Sequence, residues 1–73
     1  MNLDLPQKIG LVIRNLRLKK NLSQEDLADK CGLHRTYIGI LERGEKNMTI
    51  ETAFRVTQAL NISLTDFFAE VEK

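Results

Sequence analysis

Thiols are almost missing from this chain. Cys31 is the only cysteine, so no disulfide can close within it. His34 is likewise the only histidine, and neither residue has companions at metal-ligand spacing, which argues against a zinc site. The same isolation deprives both of a base and an orienting partner. With no metal-binding or phosphate-loop motif either, neither catalysis nor a cofactor is expected. No apolar run is long enough to cross a bilayer, and the start lacks the basic-then-apolar order of a secretory signal. These absences predict a reduced, cytoplasmic setting. No stretch of four or more residues alternates with period two, so no strand is expected. Repeats, low-complexity tracts and linkers are also absent. Nor does one sign of charge dominate: 11 Lys and Arg stand against 10 Asp and Glu, for a net charge of +1.

What is present is short and helical. Seventy-three residues allow one domain, 1–73. A chain of this size buries only about 60% of its unfolded surface. With no disulfide and no metal, a self-association surface is the expected extra support. Its charges are unevenly spread, and distribution matters more than the sum. Lys8, Arg14, Arg17, Lys19 and Lys20 follow one another with no acid among them, and Arg35, Arg43 and Lys46 add to the middle. The end carries Asp66, Glu70 and Glu72 against Lys73 alone. This polarity suits either a nucleic-acid face or an ordinary solvated surface.

Five helices can be drawn. The first begins at Asp4 or Leu5, tolerates Pro6 in its first turn, and carries Ile9, Val12, Ile13 and Leu16 as one apolar stripe. Lys19 and Lys20 suit its C-terminal end, and Asn21 is a left-handed stop. Ser23 caps the second, with Asp26 reaching back. Leu27, Ala28 and Cys31 face inward, and Gly32 ends it. The third runs from about His34 to Arg43, buries Ile38 and Leu41, and ends at Gly44. The fourth follows the cap Thr49 to about Leu60, with Ala53, Val56, Thr57 and Leu60 buried and Phe54 beside them. Asn61 stops it. Ser63 caps the fifth, which carries Leu64, Phe67, Phe68 and Val71.

Three positions decide whether helices two and three pack as a reading pair. Ala28 is small where the second helix crosses. Gly32 stands where the turn needs positive φ. Ile38 is apolar where it plugs the angle between the helices. A generic small helical bundle would show the same stripes without a reason to keep this spacing.

The run SQEDLADKCGLHRTYIGILERG, Ser23 to Gly44, carries these features. Residues 12 to 68 resemble the lambda-repressor-like (Cro/XRE-type) helix-turn-helix domains, an all-α fold of five helices. LSQEDLADKCGLHRTYIGILERGEKN, Leu22 to Asn47, is especially similar to the controller proteins of restriction–modification systems. The sharpest parts are residues 35–38 and Glu42–Gly44. The resemblance implies a sequence-specific transcriptional regulator that binds palindromic operators as a dimer, ahead of its own and the endonuclease gene. Phage repressors and antitoxins share most of the pattern. A protein-interaction module that kept the fold but lost DNA binding is the reading from another class.

Position by position, the resemblance implies that Gln24 touches a phosphate at the start of helix two. Arg35 and Thr36 enter the major groove, where arginine can donate two bonds to guanine O6 and N7. Tyr37 either reaches a phosphate or packs. Gly39, Ile40 and Arg43 continue the outward face, and Lys46 and Asn47 track the phosphates. Arg17 pairs with Glu42 to fix the tilt of the reading helix. His34 is a weak cap or a phosphate neighbour. Gly39 and Ile40 depart from the family, which more often carries larger polar residues at the first position and solvated or base-reading ones at the second. Ile40 is expected to meet a thymine methyl.

The fifth helix looks more apolar than a terminal helix needs. Ile62, Leu64, Phe67, Phe68 and Val71 are therefore assigned to a two-fold dimer interface, the alternative being that they complete the core of the single chain. Glu25 and Asp29 lie four apart on helix two. In phage repressors that activate transcription, acids at these positions touch the RNA polymerase sigma subunit. Here they either do the same or form a solvated acidic face.

Overall fold

Asp4 turns the extended N-terminal segment into helix. Its carboxylate accepts the Gln7 backbone N–H at 2.9 Å, while the Gln7 side chain accepts the Asp4 N–H at 3.2 Å. Such a box satisfies two donors that a helix start leaves unpaired. The computed structural model describes residues 2–73. Within them the chain forms α1 (Leu5–Lys19), α2 (Gln24–Cys31), α3 (Arg35–Glu42), α4 (Ile50–Ala59) and α5 (Leu64–Val71), and no strand. Ser23 and Asp26 form a second reciprocal box at 2.9 Å in each direction. Thr49 and Ser63 cap α4 and α5 by accepting the Thr52 and Asp66 N–H groups. His34 does so for α3 through ring Nδ1, which accepts the Thr36 N–H at 3.1 Å. The sequence made His34 a weak cap, yet its ring fills the role.

The helices end where the backbone turns left-handed. Asn21 (φ 56°) and Asn61 (φ 57°) follow α1 and α4, and Gly32 (φ 69°) follows α2. Only residues that tolerate this region can reverse the chain so tightly. Gly32 lets only three residues separate α2 from α3, which packs the two as a pair with Ala28 and Ile38 buried between them.

α1 crosses α3 at Gly10, which is buried. A Cβ there would overlap the carbonyl oxygens of Leu41 and Glu42. The contact is therefore backbone against backbone, and it sets the position of the reading helix directly. The core joins Ile13 of α1, Leu27 of α2, Ile38 and Leu41 of α3, Val56 and Leu60 around α4, and Phe67 of α5. Thr57 is fully buried, and its hydroxyl donates to the Phe54 carbonyl at 3.0 Å, so no polar atom is stranded.

α5 requires a correction. Phe67 and Val71, assigned above to a dimer surface, are 0% and 3% exposed and belong to the core of the single chain. The Phe67 ring meets Phe68 edge-on at 5.1 Å. Ile62, Leu64 and Phe68 are only half-buried. The largest apolar exposures lie elsewhere: Leu5, Leu11 and Leu18 on α1, Ile50 and Phe54 on α4. Among the described residues, no helix is long and apolar enough to cross a membrane.

Candidate nucleic-acid interface

At 3.6 residues per turn, positions 35, 36, 39, 40 and 43 fall on one face of α3. Ile38 and Leu41 fall on the other and anchor it in the core. Arg35 and Thr36 are exposed at the N-terminal tip. The tip thus carries two polar side chains beside the positive end of the helix backbone, which suits contact with an anionic polymer. Tyr37 is half-buried and packs against the core, as one of its two readings had it, while Ile40 is half-buried at the rim. Lys46 and Asn47 stand exposed in the loop between α3 and α4.

Arg17 and Glu42 meet beneath this face. Arg17 Nε donates to Glu42 Oε2 at 2.6 Å and Nη2 to Oε1 at 3.0 Å, with side chains only 10% and 4% exposed. Nη1 donates to the Leu22 carbonyl at 2.8 Å, tying the α1–α2 connection into the same fork. The hydrogen bonds to Glu42 push the Arg17 pKa up and outweigh the opposite effect of burial. Gln24 completes the arrangement. Its Nε2 donates to Glu42 Oε1 at 3.1 Å, so the carboxylate accepts from two helices at once. Gln24 is half-buried by this bond, which holds it at the seam between α2 and α3.

Both exposed arginines of the reading face already hold a carboxylate. Arg35 Nη1 donates to Glu25 Oε2 at 2.8 Å, across the α2–α3 angle, with both side chains more than half exposed. Glu25 is therefore a partner of the leading reading residue. Asp29, one turn further along α2, is exposed. Arg43 donates through Nε (2.8 Å) and Nη2 (3.3 Å) to the two oxygens of Glu45. That hydrogen-bonded pairing raises the Arg43 pKa and lowers that of Glu45.

Gly39 requires the second correction. Its position is on the outward side of α3, but it is buried. The Arg43 guanidinium folds back over it, so that a Cβ built there would lie 3.1 Å from Arg43 Nη1 and 3.5 Å from Gln24 Oε1. Gly39 is a seat for other side chains rather than a contact surface of its own. Sequence reasoning also missed Glu45. Residues two apart do not face each other on a helix. The signal lay in Gly44 (φ 71°), which ends the helix and swings Glu45 back toward Arg43.

The same helical arrangement occurs in known proteins. A family model described as helix-turn-helix matches residues 13–67. The control protein C.SmaI of Serratia marcescens is 45% identical over 62 residues, covering 85% of this chain and 74% of that protein. The control protein C.BamHI of Bacillus amyloliquefaciens is 43% identical over 58 residues, covering 78% and 72%. Among solved structures, the wild-type restriction–modification controller protein C.Esp1396I superposes with a TM-score of 0.88 at 38% identity, covering 97% of this chain and 91% of that one.

Proposed function

This chain belongs to the helix-turn-helix family of DNA-binding transcription regulators, and from that premise we propose that it is the controller protein of a restriction–modification system. It acts as a dimer on a palindromic operator ahead of its own gene and the endonuclease gene. It works on the nucleoid by occupancy, without catalysis. The observation that carries this reading is the exposed tip of α3: Arg35 and Thr36 stand clear of the body, on a helix whose tilt is fixed from beneath by the Arg17–Glu42 pair. Two such tips in a two-fold dimer read half-sites roughly 34 Å apart, one turn of the duplex.

Arg35 enters the major groove and exchanges Glu25 for guanine O6 and N7. The exposed pair is worth little in water, so its exchange for a bidentate base contact is favourable. Thr36 and Ile40 add contacts on either side, the latter to a thymine methyl. Gln24, Lys46 and Asn47 place the body on the phosphates. Dimerisation uses the α4–α5 side: Ile50 and Phe54 (73% and 51% exposed) together with the half-buried Ile62, Leu64 and Phe68. Exposed apolar side chains of this kind favour association. Asp29, with Glu25, offers an acidic contact to the RNA polymerase sigma subunit once the dimer is in place.

Selection on random duplexes tests the reading. The wild type should enrich a palindrome with guanine at one position per half-site that depends on Arg35. Arg35→Ala should erase that preference, a discrimination of about 1–3 kcal/mol. Recovery of no motif from the wild-type protein would refute it.

A further inference from the structure

Arg43 sits at the C-terminal end of α3, yet its guanidinium lies one turn back, over the centre of the reading face. Two features place it there. Gly39 has no side chain, which leaves the seat vacant. Glu45 then grips the guanidinium through Nε and Nη2, at 2.8 and 3.3 Å. A guanidinium carries five N–H donors in one plane. This grip uses one edge of the fork and leaves the opposite edge, formed by Nη1 and the second Nη2 hydrogen, for another acceptor pair. Arg43 can therefore keep Glu45 and still hold N–H donors on Nη1 and Nη2 for a second acceptor pair.

We propose that Glu45 is a positioning residue that holds Arg43 over Gly39 as a second guanine reader, at a base pair distinct from the one read by Arg35. The inference rests on the DNA-binding reading above and extends it to residues that reading leaves without a role. The chemistry favours a base over the backbone. Held by two bonds where Arg35 has one, Arg43 is less free than Arg35 to follow whichever phosphate lies near. The carboxylate itself repels the phosphates, so arbitrary DNA gains less from Arg43 than a correctly placed guanine does. Guanine O6 and N7 lie in one plane and match the free edge of the fork. Holding a side chain in its bound conformation also removes the ordering penalty at the moment of contact.

Three variants test this by selection on random duplexes, together with titration of the selected operator and of a scrambled duplex. Wild-type protein yields two guanine positions per half-site. Glu45→Gln weakens the preference at the second position about tenfold, leaves the Arg35-dependent position unchanged, and raises affinity for the scrambled duplex. Arg43→Lys keeps the charge but loses the fork. It flattens the second position while the salt dependence of binding stays the same. Gly39→Ala fills the seat. The atom it meets is the far end of a flexible side chain, and alanine is the better helix former, so thermal stability holds or rises while the second preference falls. That opposite movement of stability and specificity is one a merely structural glycine would not give. The inference is overturned if Glu45→Gln raises affinity for both duplexes by the same factor with both preferences intact, or if Arg43→Lys leaves both unchanged. A wild-type motif with only the Arg35-dependent guanine overturns this inference alone. A wild-type protein with no motif overturns the DNA-binding reading as well.

Discussion

At the scale of single residues, Glu42 bears the most. It accepts two bonds from Arg17 and one from Gln24 while nearly excluded from water. A buried pair of this kind need not add net stability over an apolar one, since desolvation offsets the attraction. Breaking it is another matter. Arg17→Ala leaves a buried carboxylate with only Gln24, and should lower unfolding free energy by about 3–5 kcal/mol, read from urea denaturation. Replacing both partners, as Arg17→Met with Glu42→Leu, should recover much of that stability. It should not recover operator affinity, because the directional bonds that Arg17 and Gln24 make to Glu42, which tie the tilt of α3 to α1 and α2, are then gone. Equal recovery of both would show that the pair only fills space. The partnership itself was visible in the sequence only through family resemblance. No spacing rule connects residues 25 apart in the chain, and the Leu22 carbonyl that accepts the third bond carries no side-chain signature at all. Gly39 shows the same limit. Helical period places it on the outward face, which is right, but cannot say that Arg43 and Gln24 will cover it.

At the scale of elements, the boundaries were the most legible part of the chain. Their causes are local: Ser23 with Asp26, Thr49, Ser63, Asn21, Asn61 and Gly32 each act on backbone groups within a few residues. Asp26 illustrates what such a cap does for stability. Its carboxylate accepts the Ser23 N–H, and that bond holds its pKa below the usual aspartate value. A group depressed in the folded state contributes stability above its unfolded pKa, and the contribution fades as the pH falls through the folded one. Thermal unfolding of Asp26→Asn should thus trail the wild type at neutral pH. The two should converge in acid, below the usual aspartate range. A gap that persists at the lowest pH would mean that the charge is not the cause. The α1–α3 crossing was far less legible. Nothing in the stripe Ile9–Leu16 marks Gly10 as the point where two backbones meet. Gly10→Ala must push α3 away from α1. It should destabilise by about 1–3 kcal/mol and weaken operator binding more than the loss of folded protein explains, as titration at a temperature where the variant is fully folded would show.

At the scale of the whole molecule, the question is which apolar surface belongs to the fold and which to a partner. An amphipathic pattern cannot separate them, since a core and an interface have the same composition at the sequence level. Phe67 and Val71 were assigned to the interface and are core; Phe54 was placed beside the core and is half exposed. The difference arises because α5 packs on α1 and α4 and spends its strongest apolar face there. On this side of the molecule, the half-buried Ile62, Leu64 and Phe68 stay beside the exposed Ile50 and Phe54 of α4 for the proposed association. Phe54→Glu and Leu64→Glu should therefore each convert a wild-type dimer to monomer in sedimentation at micromolar concentration. Neither should disturb the monomer, because both side chains already contact water. By contrast, Phe67→Ala removes a fully buried ring and should cost about 3–5 kcal/mol of folding free energy. Loss of the dimer should reach DNA as well. A dimer that neutralises Z phosphates loses affinity with a slope of about −0.9Z in log salt. A monomer engages one half-site, and the slope of Phe54→Glu should drop to about half that of the wild type. A wild-type protein that sediments as a strict monomer, or a Phe54→Glu variant with an undiminished slope, would place the second copy outside the recognition event.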